Sequence, residues 1–188
     1  KMKRIFAAVK IAPDANFSSV YNQLKTALRH DRINWVPLHN IHLTLKFFGE
    51  VHDEQVEAID EILKQVAVRH KPFDMELFGT GIFGSSYDPR VVWFGIRHSE
   101  QISALAADVL DAVTPIGFPR DRQNFRPHLT IGRVKHITDK NIFQQTIRKH
   151  SNSLIQVVKV DSFGLIESKL RPQGSAYMAL ASYRLEAR

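Results

Sequence analysis

The chain alternates between two kinds of hydrophobic spacing. The run RIFAAV at Arg4–Val9 is short, apolar and closed by Pro13-Asp14, which predicts a buried strand and a turn. Val20, Leu24, Ala27 and Leu28 then recur at helical spacing on a segment ending in Arg29, His30 and Arg32, cations suited to a helix C-terminus. Residues 41–48, IHLTLKFF, alternate with period two, so that Ile41, Leu43, Leu45 and Phe47 face one way and His42, Thr44, Lys46 and Phe48 the other. A second helix follows, with Asp53 as its cap, acids at Asp53, Glu54 and Glu57, apolar Val56, Ile59, Ile62, Leu63 and Val66, and a stop at Pro72. FDMELFGTGIF (73–83) and VVWFGI (91–96) predict paired strands across the turn-rich GSSYDPR. Ser99 caps a helix with Ile102, Leu105, Val109 and Val113 at three- and four-residue steps, and 114–127 is a proline-rich basic loop. PHLTIGRV is another short strand, Thr138 to about Lys149 a helix, and strands near 154–166 and 175–185 joined by SKLRPQG close the chain.

Residues 41–66 and 127–147 share one order: a strand bearing His-Leu-Thr-aliphatic, a short polar link, then a helix. A duplicated unit is therefore a hypothesis about the architecture. Strands alternating with helices and hairpins predict an α+β fold, two antiparallel sheets packed against outer helices. At 188 residues the chain makes one domain, or two small lobes sharing a core.

Composition removes whole classes of chemistry. With no Cys, disulfide scaffolds, thiolate zinc sites, redox dithiols and cysteine nucleophiles are all excluded. A 44% hydrophobic share with 24% charged residues is globular rather than disordered. No stretch reaches the ~18 uninterrupted apolar residues of a membrane span, and residues 1–25 lack the apolar core of a signal peptide, so a soluble cytoplasmic protein is expected. Lys1 ahead of Met2 reads as an addition to a natural start and is set aside. A net charge of +7 with a pI of 9.8 fits an anionic partner, and fits colloidal solubility equally well.

The two tetrapeptides HLTL (42–45) and HLTI (128–131) change the picture most. In a strand, His at i and Thr at i+2 emerge on one face while the aliphatics at i+1 and i+3 enter the core. Two such strands facing across a groove would surround one tetrahedral anion with the imidazoles of His42 and His128 and the hydroxyls of Thr44 and Thr130. That is a phosphoryl-transfer site without a metal. Imidazole titrates near ~6.5, so one neutral and one protonated ring can deprotonate a nucleophile and protonate a leaving oxygen, while the threonines hold nonbridging oxygens. Treating positions as independent, chance supplies roughly 0.3 His-x-Thr triplets in such a chain, against two found, both HLT followed by an aliphatic. Either motif alone reads as half-buried strand residues; the pair reads as chemistry.

With these motifs the sequence resembles the two-histidine (2H) phosphoesterases, defined by paired His-x-Thr/Ser-x motifs. Within them it is most similar to the RNA 2′,3′-cyclic phosphodiesterases, a group also called 2′-5′ RNA ligases. RIFAAVKI, HLTLKFFGEV, PRVVWFGI, FRPHLTIGRV and LIESKLRPQGSAYMALASYRL carry the resemblance in matching order over nearly the full chain. It implies a bilobal α+β fold, here a single catalytic domain over 1–188, with the motifs facing across a central groove. It implies no metal or other cofactor, and hydrolysis of a 2′,3′-cyclic phosphate to a 2′-phosphomonoester. RNA ends or small nucleotides with a cyclic phosphate are the implied partners, met by a monomer with no role for a membrane. His42 is the implied proton donor, His128 the proton acceptor. 2′-5′ ligation at the same site and a non-catalytic RNA-binding module are the alternatives.

Arg133, closing the second motif, is implied as a phosphate contact, and guanidinium suits phosphate geometry. Strict alternation gives it the parity of Leu129 and Ile131, so only a bulge, a twisted strand end or a long reach brings it to His128. Phe47 stands at the equivalent place after the first motif. Lys46 shares His42's predicted face and offers a phosphate contact, or a solvated edge lysine. Phe48 and Phe125 offer stacking surfaces for a nucleobase, or core packing. Arg120, Arg122 and Arg126 form the densest basic cluster, a funnel for a polynucleotide backbone or solvated loop charge. His39 and His52 near His42 do not make a recognised metal-ligand spacing, and Gly79, Gly81 and Gly84 do not make a dinucleotide fingerprint.

Overall fold

Period-two burial organises nine strands into two antiparallel sheets. A computed structural model describes residues 1–120 and 126–188. The strands are β1 (Met2–Lys10), β2 (Arg32–Trp35), β3 (His42–His52), β4 (Phe73–Gly84), β5 (Pro89–Arg97), β6 (His128–His136), β7 (Leu154–Val160), β8 (Ser162–Arg171) and β9 (Gly174–Arg184). The helices are α1 (Ala15–Ala27), α2 (Asp53–Ala67), α3 (Glu100–Val113) and α4 (Lys140–Lys149), with short 3-10 turns at Leu38–Asn40 and Thr114–Ile116. One sheet has the order β3-β1-β8-β9, the other β2-β6-β5-β4-β7. The α+β class with outer helices is as expected.

The chain crosses between the sheets repeatedly. α1 follows a strand of the four-stranded sheet yet packs on β7 of the five-stranded one, where Asn16 Nδ2 donates to Ile155 O at 2.8 Å. α3 follows β5 yet packs on α2 and β3. One continuous cluster of buried apolar side chains therefore runs through both sheets, including Ile5 and Ala7 of β1, Leu43 and Leu45 of β3, Phe94 of β5 and Leu129 and Ile131 of β6.

Several boundaries differ from the sequence expectation, each for a local reason. α1 starts earlier, because the Asp14 carboxylate accepts from Phe17 N at 2.8 Å and caps it there. Its end at Ala27 leaves Arg29 and His30 beyond the last turn, and Arg32 opens β2, whose alternation of Ile33 and Trp35 with Arg32 and Asn34 spans only four residues, too short a run to announce a strand. α2 is capped by His52, not Asp53: Gln55 Oε1 accepts from His52 N at 3.0 Å, and Asp53 instead meets Lys3 Nζ at 2.7 Å. The segment 154–166 is two strands in different sheets, broken at Asp161. β8 runs on to Arg171, leaving only Pro172-Gln173 as the turn before Gly174, whose φ of +117° suits glycine. Arg122 and Phe125 lie outside the described residues.

Candidate active site

Both motif strands break the two-residue period at the same step. On β3, Thr44 pairs with Ala8 but Lys46 pairs with Ala7, so Leu45 is an extra residue in the ladder. On β6, Thr130 pairs with Trp93 but Gly132 pairs with Val92, so Ile131 is extra. A bulge of this kind leaves one more side chain on the buried face and reverses parity beyond it. His42 and Thr44, and likewise His128 and Thr130, remain on one face as alternation demands. Five residues after each histidine, Phe47 and Arg133 now return to that face: Phe47 pairs with Phe6, and Arg133 with Val91 beside Trp93. β3 and β6 approach within 8 Å at their Cα atoms.

The two imidazoles are held alike. His42 Nδ1–H donates to Asn40 O and His128 Nδ1–H donates to Arg126 O, each to the carbonyl two residues earlier and each at 2.6 Å. A carbonyl can only accept, so both neutral rings carry their proton on Nδ1 and present Nε2 as the free lone pair. Among the described residues neither Nε2 has a hydrogen-bond partner. Aromatic rings frame each histidine. Phe6 and Tyr177 stand 4.9 and 5.1 Å from His42, and Phe83 stands 4.5 Å from His128 with edge-on geometry. Burial pushes the His42 imidazole below its ordinary value, partly offset by the bond to Asn40.

The sequence matches the 2′-5′ RNA ligase superfamily over residues 13–171. The chain belongs to that superfamily. It is 34% identical over 177 residues, 94% of this chain and 97% of the relative, to the RNA 2′,3′-cyclic phosphodiesterase of Archaeoglobus fulgidus. To the protein of the same name from Methanothermobacter thermautotrophicus it is 30% identical over 168 residues, 89% and 90% of the two chains. A crystal structure from Thermus thermophilus superposes with a TM-score of 0.81 at 27% identity, covering 98% of this chain and 99% of that one. E. coli LigT complexed with 3′-AMP shares the fold, with a TM-score of 0.73 at 21% identity over 98% of each chain.

In this superfamily member the neighbours of the motifs fall differently from simple alternation. Lys46 does not share His42's face: past the bulge it lies on the core side, 6% exposed, with Nζ donating to Pro119 O at 3.0 Å. Phe48 is also turned away by the reversed parity past that bulge, and packs in the core with its ring 5.1 Å from Phe118. Arg133 is exposed on the side of Thr130, and Arg126 contributes its carbonyl to His128 while its side chain is exposed. The sequence motifs do not mark Asn40, Phe6 or Tyr177, and alternation places Phe47 on the opposite face from His42, which the bulge corrects. One signal did point to Phe6: RIFAAV is apolar on both strand faces, so the face bearing Phe6 and Ala8 needed a cover of its own. Among the described residues no three His, Asp or Glu side chains gather as a metal-ligand set, and no helix is long and apolar enough to cross a membrane.

Proposed function

We propose that this protein hydrolyses a 2′,3′-cyclic phosphodiester, on RNA ends or small nucleotides, to the 2′-phosphomonoester, with His42 as proton donor and His128 as proton acceptor. The observation that carries this reading is the matched pair of imidazoles, each locked at Nδ1 by a backbone carbonyl and each with no partner for Nε2 among the described residues. The names of the relatives support the substrate class.

Water attacks phosphorus in line and gives its proton to His128 Nε2. The bond from phosphorus to the ribose 3′ oxygen breaks, and His42 Nε2–H hands its proton to that departing oxygen. Thr44 and Thr130 hold the nonbridging oxygens, and Arg133 supplies a positive charge to the same group. The turnover leaves His128 charged and His42 neutral, and proton exchange with water restores both. Burial favours the neutral form of His42 in the free protein, so the substrate's own negative charge, brought beside the ring, draws in the proton that it later donates. Both proton transfers are carried by imidazole, and no metal is needed for either.

A short RNA ending in a 2′,3′-cyclic phosphate tests the reading. His42→Gln and His128→Gln should each lower turnover by on the order of 10²-fold or more with the fold intact, the product should carry a 2′-phosphate, and EDTA should leave the rate unchanged. Normal turnover by either variant, a 3′-phosphate product, or joining of ends in place of hydrolysis would overturn it.

A further inference from the structure

β1 accompanies β8 only across Gly164–Glu167, whereas β8 and β9 stay paired to Arg171 and Gly174 at the turn. From Ser168 to Tyr177 the two strands form a ribbon with no third strand beside it among the described residues. The ribbon is apolar where water should reach it: Leu170 is 79% exposed, Met178 48% and Tyr177 37%. It also carries exposed Lys169 and Arg171, and no acid occurs from Ser168 to Met178. Its base is fastened to the candidate active site. Asn40 Nδ2 donates to Ser175 O at 3.1 Å, and Tyr177 stands 5.2 Å from Phe6 as well as against His42.

Register fixes which side chains share a face. Ser168 pairs with Tyr177 and Leu170 with Ser175, so Leu170 and Tyr177 lie on the same side of the ribbon, the side of Phe6 and His42. Lys169 and Arg171 emerge on the opposite side of a ribbon two strands wide, within reach of its edge for side chains of that length. The face of Leu170 and Tyr177, flanked by exposed Lys169 and Arg171 with the one nearby carboxylate, Glu167, buried, matches the demands of single-stranded nucleic acid, whose bases settle on apolar surface while its phosphates seek Lys and Arg.

We propose that the β8–β9 ribbon is a second nucleotide subsite, holding the RNA residue that precedes the cyclic end, with its base against Leu170 and its phosphate near Lys169 and Arg171. The inference rests on the proposed reading of the active site, and that reading gives it direction. If His42 protonates the ribose oxygen, the ribose lies on His42's side of phosphorus. The chain leaves the ribose through its 5′ carbon, so the preceding nucleotide departs on the side where the ribbon is fastened. Ser175, opposite Leu170, is two residues along β9 from Tyr177, about 7 Å, which one nucleotide spans.

The test compares a 2′,3′-cyclic mononucleotide with a trinucleotide ending in a cyclic phosphate, using Leu170→Ser and Lys169→Glu/Arg171→Glu. Each variant should raise KM for the trinucleotide by about 10-fold, the scale of removing the support of one stacked base or one phosphate, and leave the mononucleotide kinetics unchanged. The charge variant should also flatten the salt dependence of trinucleotide binding by ~0.7 in log–log slope for each phosphate that is no longer neutralised. Equal losses on both substrates, or no loss on the trinucleotide because the apolar tip serves a protein partner, would overturn the proposal. Failure of the unaltered protein to hydrolyse either substrate would instead sink the reading of the active site. Fluorescence anisotropy of a labelled single-stranded pentanucleotide would then decide the ribbon alone: weaker binding by both variants supports it, and unchanged binding refutes it.

Discussion

At the scale of single residues, neighbours in sequence have opposite tasks. Phe48 fills the core and Phe47 stands 56% exposed on the face of His42. Phe48→Ala should cost about 3 kcal/mol of stability, as large-to-small core changes do, while Phe47→Ala should leave the melting temperature nearly unchanged and raise KM. A reversal of those two outcomes in thermal unfolding and kinetics would show the faces to be assigned wrongly. His42 makes a second residue-level prediction. Its buried ring is held below the ordinary histidine value, so in NMR titration of the free protein it should protonate below about 6.5. Inorganic phosphate in the groove should move the midpoint upward, since a neighbouring anion favours the charged ring.

Between residues and the whole lie the strands, and here one glycine is decisive. A Cβ on Gly81 would stand 2.3 Å from the Trp93 ring, and Trp93 pairs directly with Thr130. Gly81→Val should therefore displace Trp93, destabilise the protein by about 1–3 kcal/mol, and reduce kcat more than a surface change of equal stability cost. Unchanged kcat in that variant would separate the Trp93 packing from the active site. The strands also show how far sequence reaches. His42, Thr44, His128 and Thr130 were legible because period two holds up to the bulge, and the helices because apolar spacing and charge agree. Arg133 and Phe47 lay past the bulge, where parity depends on how a partner strand accommodates an extra residue, which no local pattern records. β2 escapes because its apolar face, Ile33 and Trp35, is only two side chains long, and Asn40 because its backbone carbonyl, rather than any side-chain chemistry, orients His42.

For the molecule as a whole, the interleaving of chain and sheets governs stability. α1 and α3 each pack on the sheet to which the preceding strand does not belong, so neither half can bury its apolar face without the other. Unfolding followed by Trp fluorescence and by circular dichroism should coincide in one transition; two separated transitions would show independent lobes. That stability should also fall on acidification. Burial lowers the pKa of His42 and of His150, so the unfolded chain binds protons that the folded one refuses. The stability tied to their neutral forms is complete above about pH 6.5 and is lost as pH drops from there toward the folded values. His42→Gln should flatten that dependence, and an unaltered slope would place the acid sensitivity elsewhere. A last consequence comes from the unequal pair Phe47 and Arg133 at matching positions of two near-identical motifs. A perfectly twofold cleft would accept a chain in either direction and so could not tell a beginning from an end. In the proposed mechanism, one greasy corner set against one cationic corner gives the cleft a sense of direction, and with it a reason for the two imidazoles to specialise.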